Sequence, residues 1–141
     1  MKPENLCKNG TEHGHQSALI CWTELPETKL NYPDARKIFA INNNAGMGDG
    51  KKGAMRGMRA KQAGVKAGVP DLFLPVGNQW ANGLFVEMKR PDLKPVRRGA
   101  GGVSDAQNAF LRTARKDGYS ALVCYGWEEA AESIRDYLDE K

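Results

Sequence analysis

Three segments of the chain place apolar residues at helical spacing. In residues 12–22 the apolar side chains lie on one side of a helix that ends before Pro26. Residues 104–118 open with a Ser-x-x-Gln capping box and close at a glycine, with apolar positions spaced for burial between them. Residues 128–138 begin with acidic side chains, which a helix dipole favours in its first turn. The pattern therefore predicts three amphipathic helices.

Four shorter segments have the apolar character of strands. Residues 70–76 and 84–89 flank the turn-rich residues 77–83, which predicts an antiparallel hairpin. Residues 37–42 form a short strand candidate. Residues 119–125 are mostly apolar, so we expect this strand to be buried on both faces.

The remaining segments have no strand period. Residues 1–10 form a loose tail, and residues 27–36, 42–53 and 91–102 form loops. Residues 54–63 form a short basic helix that stops at Gly64. The elements then follow the order helix, strand, short helix, strand, strand, helix, strand, helix. We expect a single α/β domain over residues 11–141, with one mixed central sheet flanked by helices.

The composition agrees with this reading. A chain of 141 residues with 40% hydrophobic and 27% charged side chains has room for one globular domain. Its apolar runs are too short to span a bilayer, and its first residues lack the pattern of a secretion signal. Cys7, Cys21 and Cys124 are odd in number and lack Cys-x-x-Cys spacing. Composition excludes membrane, collagen-like and disordered classes, and we expect a cytoplasmic protein without a disulfide framework.

Positive charge is concentrated in the middle of the chain. Residues 49–102 hold eleven Lys or Arg against four acids, and twelve of the sixteen glycines fall between Gly46 and Gly102. Such a segment can approach a polyanion closely, because glycine leaves backbone amides open and basic side chains displace phosphate counterions. The alternative is a solvated basic surface. The four acids inside this segment are the candidates for chemistry.

Two of those acids form the sharpest motif. Pro70-Asp71 is followed sixteen residues later by Glu87-Met88-Lys89. Side chains two residues apart in a strand share a face, so Glu87 and Lys89 point the same way. If Asp71 starts the paired strand, the two carboxylates and the ammonium meet at the open end of the hairpin and favour Mg²⁺ or Mn²⁺. Alternatively, Glu87 and Lys89 form a surface ion pair and Asp71 merely begins a strand.

Six blocks of sequence extend this motif along nearly the whole chain. They are Glu12-His13-x-x-Gln16, Gly68-Val69-Pro70-Asp71-Leu72-Phe73-Leu74, Gly83-Leu84-Phe85-Val86-Glu87-Met88-Lys89-Arg90, Ser104-x-x-Gln107, Gly118-Tyr119 and Gly126-Trp127-Glu128-Glu129-Ala130. In this order the blocks resemble the VRR-NUC nucleases, the virus-type replication-repair group of the PD-(D/E)xK superfamily. The short Pro-Asp…Glu-x-Lys signature alone occurs by chance in many proteins, whereas six ordered blocks are a much more specific match.

The resemblance implies a restriction-endonuclease-like αβββαβ core with Asp71, Glu87 and Lys89 as its catalytic centre. Gln107 matches a recurrent glutamine behind the site, where it could act in catalysis by orienting Lys89 or a water; a helix cap is an equally good interpretation. The metal ligands that the resemblance implies are Glu12, Asp71, Glu87 and the backbone carbonyl of Met88.

The implied chemistry is hydrolysis of a phosphodiester bond. The metal would neutralise the phosphate and activate a water, Lys89 would position or deprotonate that water, and a 5′-phosphate would remain. We expect Mg²⁺ or Mn²⁺ and no small-molecule cofactor. A zinc site that uses His13, His15 and Cys7 lacks a fourth ligand at sensible spacing.

Basic residues on both sides of the catalytic strands are expected to hold the DNA backbone, and to recognise DNA shape rather than base sequence. Any one of them could instead be ordinary surface charge. They are Lys51, Lys52, Arg56, Arg59, Lys61, Lys66, Arg90, Lys94, Arg97 and Arg98.

The chain resembles the small stand-alone phage and bacterial members of this family. That resemblance implies a homodimer that resolves four-way (Holliday) junctions in DNA repair and recombination, since a two-fold symmetric junction needs two cuts and one domain supplies two sites by pairing. The alternatives are a monomeric nickase or flap endonuclease, and a non-catalytic DNA-binding accessory protein. The intact Asp71, Glu87 and Lys89 argue against the last of these.

Overall fold

The structure is a computed structural model, which describes residues 1–42, 50–95 and 101–141. Its helices are α1 (Pro3–Leu6), α2 (Glu12–Thr23), α3 (Pro26–Asn31), α4 (Gly50–Gln62), α5 (Asp105–Lys116) and α6 (Trp127–Asp139). Its strands are β1 (Phe39–Ala40), β2 (Leu72–Leu74), β3 (Leu84–Lys89) and β4 (Ser120–Tyr125). Short 3₁₀ turns cover Pro33–Lys37 and Pro91–Leu93.

The four strands form one mixed sheet in the order β1-β2-β3-β4. The first two pairings are antiparallel, so the hairpin predicted from residues 70–89 is confirmed. Strand β3 pairs in parallel with β4, and this register sets Lys89 beside Tyr125. A parallel pair needs a crossover connection, which here contains α5.

Side chains alternate across β3 and separate two packed layers. Leu84, Val86 and Met88 join a core formed with α2 and α6. Phe85 packs on the opposite face, against a smaller cluster that includes Leu111 of α5. Since Glu87 and Lys89 have the same parity as Phe85, they point towards the α5 side of the sheet. The predicted α/β architecture, a mixed sheet with helices on both faces, is confirmed.

Several predicted boundaries were wrong. The loop expected over residues 27–36 contains α3 and a 3₁₀ turn, each with a proline in its first turn, where the missing N–H costs nothing. The tail expected over residues 1–10 contains α1, whose Pro3 is buried. Strand β2 is shorter than predicted because Pro70 and Pro75 flank it and cannot donate to a strand ladder.

Helix α4 begins four residues earlier than the predicted start at residue 54. Among the described residues, no helix combines the length and apolar character that a membrane crossing requires.

Candidate active site

Asp71 lies at the point where β2 begins and reaches across to β3. The backbone pairing of β2 with β3 starts at Leu72, opposite Val86. Beyond that point the Asp71 side chain replaces the backbone as the hydrogen-bond acceptor for β3, because its Oδ2 accepts a hydrogen bond of 2.8 Å from the Met88 N–H. The Asp71 carbonyl also accepts from the Ile41 N–H at 2.7 Å, which anchors the residue on its other side. The open end of the hairpin therefore holds Asp71 against the strand that carries Glu87 and Lys89.

Glu87 and Lys89 are buried rather than exposed. Their residues are 2% and 6% accessible, and the Lys89 Nζ lies 3.4 Å from the Glu87 Oε1. The alternative of a surface ion pair is therefore wrong. Two buried charges of opposite sign are costly to remove from water, and such pairs persist where geometry and further hydrogen bonds compensate.

Gln107 contacts the site and caps a helix at the same time. Its side-chain amide donates to the Glu87 Oε1 at 2.9 Å. Its carbonyl oxygen accepts from the Ser104 N–H at 2.9 Å, while its own N–H donates to the Ser104 Oγ at 3.1 Å. The helix-cap interpretation is therefore confirmed. The side-chain amide reaches Glu87 rather than Lys89, and a role of Gln107 in catalysis stays a prediction.

Glu12 lies near Lys89. It opens α2, where the Thr11 Oγ1 caps the helix by accepting from the Gly14 N–H at 3.0 Å. The Glu12 Oε1 lies 3.9 Å from the Lys89 Nζ, and its side chain is 46% exposed. Within the described parts of the chain, no group of three or more His, Cys, Asp or Glu residues could hold a metal ion. The role of Glu12 as a metal ligand stays a prediction.

Burial raises the pKa of both inner carboxyl groups. For Glu87 it is the largest effect, and the negative charge of Asp71 adds to it, so that its pKa rises to about 8 although Lys89 opposes the shift. Burial also raises the pKa of Asp71, against the Met88 N–H and the charge of Lys89. Without a further cation, the site therefore favours retaining a proton at neutral pH.

The residues fit a hard divalent cation. The Glu87 Oε2 is buried without a hydrogen-bond partner, while the Oε1 of the same carboxyl group is held by Gln107 and Lys89. A buried oxygen without a donor is costly unless something else meets it. Mg²⁺ is commonly bound by one or two carboxylates together with water and substrate phosphate, and Asp71 and Glu87 match that number of carboxylates.

Changing Glu87 to Gln is expected to alter how stability depends on pH. The unfolded chain releases this proton near 4.5, whereas the folded protein keeps it to about 8. The folded state binds more protons between those values, so the free energy of unfolding of the metal-free protein falls as pH rises through that window. In Glu87→Gln the fall should be shallower by up to about 1.4 kcal/mol per pH unit.

Urea unfolding at several pH values between about 5 and 9, with a chelator present, measures this slope. Glu27→Gln changes an exposed carboxylate of α3 and serves as the matched control. Equal slopes in the wild type and in Glu87→Gln would contradict the raised pKa of Glu87.

The predicted DNA-binding residues fall into three groups. Five lie on α4, which carries no acidic residue, and Lys66 follows it on an exposed loop. Arg90 is paired with Asp92 at 2.8 Å, and Lys94 with Glu129 at 2.9 Å, so neither cation is free in the structure. Arg97 and Arg98 lie outside the described residues.

Helix α4 presents its charged face to solvent. Gly53 is its buried position, and Gly57 and Ala60 on the same side are partly covered. The other side carries Met55 and Met58, which are 52% and 62% exposed, among the Lys and Arg side chains. The covered positions of α4 are thus small residues, while its five Lys and Arg side chains are exposed.

The zinc alternative gains no support from the position of His15. Its Nδ1 accepts from the Trp127 N–H at 3.1 Å, which ties α2 to the start of α6. His15 is buried. Its described contact is structural.

Sequence reasoning missed the role of Gly68, which the sequence shows only as part of a block shared with the family. Its backbone lies against the first turn of α5, so that an added Cβ would come within 2.4 Å of the Ala106 carbonyl oxygen. The signal available in the sequence was a glycine three residues before Asp71, which has many ordinary explanations.

The model of the VRR-NUC domain matches residues 10–128 of the chain. The chain belongs to the VRR-NUC domain family. Membership implies a nuclease of the PD-(D/E)xK type, which is a hydrolase with DNA as its substrate. The matched residues include Asp71, Glu87, Lys89 and Gln107 of the candidate site.

A solved structure of a "VRR_NUC domain protein" has the same fold. It superposes with a TM-score of 0.68 over 93% of this chain and 90% of its own, at 24% sequence identity. No curated protein matches the chain. The structural likeness supports the α/β architecture of this VRR-NUC domain, and the functional conclusion rests on the family and on the site.

Proposed function

We propose that the protein is a Mg²⁺- or Mn²⁺-dependent endodeoxyribonuclease that cleaves branched DNA, with the four-way junction as its substrate and a homodimer as its active form. The observation that best supports a nuclease centre is the buried Glu87 Oε2, which has no hydrogen-bond partner and belongs to the same site as Asp71 and Lys89. A buried carboxyl oxygen next to the buried Lys89 suits the binding of a cation and a phosphate together, once the carboxyl group has released its proton to make way for the cation.

Each side chain of the candidate site has a separate role in the proposed reaction. Asp71 and Glu87 would hold the divalent ion, with the Met88 carbonyl as a further oxygen ligand. When bound, that ion neutralises phosphate charge and lowers the pKa of a water. Gln107 keeps the Glu87 Oε1 occupied, so that Oε2 is the oxygen left for the ion. Lys89 orients the attacking water or stabilises negative charge on the phosphate.

DNA would be held by its backbone along α4. The five Lys and Arg side chains of this helix are exposed, whereas its covered positions are small residues. Phosphate contacts position a duplex without reading its sequence, which suits an enzyme that selects DNA by its branched shape. The proposed contacts also include Lys66, Arg90, Lys94, Arg97 and Arg98.

Neutralising the α4 cations is expected to weaken DNA binding in a salt-dependent manner. A variant with Lys52, Arg56 and Arg59 all changed to Gln should reduce the slope of log K against log salt by about 2–3, since each lost phosphate contact contributes about 0.9. Fluorescence anisotropy of a labelled duplex over a KCl series measures the slope.

The matched control removes the same charge elsewhere. Lys29, Arg36 and Lys37 changed to Gln also lose three positive charges, but these side chains are paired with Glu24 or Asp34. If both triple variants lose equal slope, net charge rather than α4 governs binding.

Selection of the four-way junction rests on the expectation of a dimer. Two symmetric cuts in one junction need two active centres, and each copy of the chain has one. Cleavage of an end-labelled junction should be compared with linear duplex, flap and single strand under Mg²⁺ or Mn²⁺, with EDTA as the blank. Sedimentation of the same protein gives its oligomeric state.

Paired symmetric nicks in the junction by a dimer would support the whole proposal. If a monomer preferentially cuts the flap, or one strand of the duplex, the proposed junction-resolving dimer is replaced by a monomeric flap endonuclease or nickase. Binding without cutting under either ion would leave a DNA-binding accessory protein.

A further inference from the structure

Both carboxylates of the candidate site, the half-buried Asp71 and the buried Glu87, are connected to one turn of helix, residues 104–107, here called the α5 first turn. Glu87 is tied to it through Gln107, whose amide donates to the Glu87 Oε1 at 2.9 Å. The carbonyl of the same amide accepts from the Ser104 N–H, so the side chain of Gln107 has little freedom to rotate. The position of Glu87 is therefore coupled to the start of α5.

The segment that carries Asp71 meets the α5 first turn through Gly68. Gly68 has φ of +82°, a backbone conformation that L side chains rarely adopt. A Cβ on this residue would lie 2.4 Å from the Ala106 carbonyl oxygen and 2.9 Å from the Gln107 nitrogen. Such distances are too short for any side chain, so the backbone approaches the turn as closely as it does only because residue 68 is glycine.

The segment from Gly68 to Asp71 is short and conformationally restricted. Pro70 is fully buried and its ring fixes its own φ, so the backbone directly before Asp71 has little freedom to adjust to a shift upstream. Asp71 then ends at the Met88 N–H, 2.8 Å from its Oδ2. The two carboxylates, one on β3 and one directly before β2, are thus both connected to the α5 first turn, which lies outside the sheet.

We propose that the α5 first turn is a brace that sets the relative position of Asp71 and Glu87, and that Gly68 is a positioning residue of this site. The expected effect of this brace on catalysis rests on the proposed nuclease function. Its effect on the position of Asp71 relative to β3 does not depend on that function. Since misplacement of a catalytic group by about 1 Å can cost about 10²-fold in rate, a contact outside the site can control activity.

Gly68→Ala tests the brace, and Gly64→Ala is its matched control. Both glycines precede β2 and both have positive φ, +82° at Gly68 and +97° at Gly64, but an added Cβ at Gly64 meets nothing within 4 Å. The control therefore introduces the same type of backbone strain without the clash. A difference between the two variants reports the contact with α5.

The first readout is independent of metal and of activity. Hydrogen exchange of the Met88 amide, followed by NMR in metal-free protein, reports its bond to Asp71. We expect Gly68→Ala to accelerate this exchange by at least about tenfold relative to Gly64→Ala. Equal protection of the Met88 amide in the two variants would overturn the brace.

The second readout is steady-state cleavage. Gly68→Ala should lower kcat by about tenfold or more with KM nearly unchanged, whereas Gly64→Ala should keep the wild-type kcat. If the wild type does not cleave DNA, the proposed function fails, and Met88 exchange still decides the brace. If the wild type cleaves and Gly68→Ala matches it, the brace fails while the function stands.

Gln107→Ala keeps the proposal testable if Gly68→Ala does not fold. It removes the link to Glu87 but leaves the backbone contacts of Gly68. We expect a lower kcat with normal Met88 protection, and Ser104→Ala, which loses the hydroxyl cap alone, should retain more activity. Wild-type kcat in Gln107→Ala would overturn the Glu87 half of the brace.

Discussion

Replacing Lys89 with Met is expected to reduce the rate of DNA cleavage by about 10²–10⁴-fold while leaving DNA binding intact. The Lys89 ammonium lies between the Glu87 and Glu12 carboxylates, 3.4 Å and 3.9 Å from their nearest oxygens. It is the cation of the described site that could orient a water or meet charge on the phosphate. Met has a side chain of similar length and keeps the apolar packing of the lysine stem.

The fold should survive this change. Loss of the Lys89 charge removes an effect that lowers the pKa of Glu87, so the carboxyl group would hold its proton more firmly and avoid an unpaired buried charge. Single-turnover cleavage and anisotropy on the same preparation separate chemistry from binding. Lys37→Met, at an exposed lysine paired with Asp34, is the control. Cleavage by Lys89→Met within about twofold of wild type would remove Lys89 from the chemistry.

Replacing Asp71 with Asn is expected to weaken binding of the divalent ion and to lower cleavage by about 10³-fold or more, because a metal-assisted reaction loses several kcal/mol of stabilisation. Asn can still accept from the Met88 N–H through its carbonyl oxygen, so the local backbone contact is retained. What is lost is the charge. Titration of the apoprotein with Mn²⁺ in a calorimeter measures the ion directly, without DNA.

Asp92→Asn provides the comparison for this experiment. Asp92 is an exposed carboxylate paired with Arg90 just beyond β3, so its loss tests whether any acid near the site affects the ion. If Asp71→Asn binds Mn²⁺ as tightly as wild type does, the assignment of Asp71 as a ligand is wrong. Equal weakening in both variants would point to general electrostatics rather than coordination.

The part of the site that lies within one strand was predictable from the sequence. Strand geometry alone places Glu87 and Lys89 on one face, and the structure sets both on the α5 side of β3. The capping box at Ser104 is likewise a local pattern, because both of its hydrogen bonds join residues three apart. Such features depend on neighbours in sequence, which the sequence displays.

Contacts between distant segments were less accessible. That Gln107 would reach Glu87, or that Gly68 would lie against Ala106, depends on how α5 packs on the sheet, and no local pattern encodes it. Helix α3 was missed for a different reason, since six residues with a proline at the start are too short to display a helical period. The proximity of Glu12 to Lys89 was expected only through the family resemblance.

The trade-off at Glu87 links stability to function. A buried carboxylate with its pKa raised to about 8 and one oxygen without a partner weakens the metal-free fold at neutral pH. Glu87→Gln should therefore be the more stable protein and the inactive one. Active sites commonly retain such destabilising groups because the chemistry requires them.

The most direct test of the buried site as a nuclease centre is cleavage of a labelled four-way junction by wild type and Glu87→Gln in parallel, first in EDTA and then after addition of Mg²⁺ or Mn²⁺. The structure predicts that the wild type cuts only after the ion is added, and that Glu87→Gln binds the junction with similar affinity but does not cut it. Cleavage by Glu87→Gln at the wild-type rate, or cleavage by the wild type in EDTA, would contradict a metal-dependent centre at Asp71, Glu87 and Lys89.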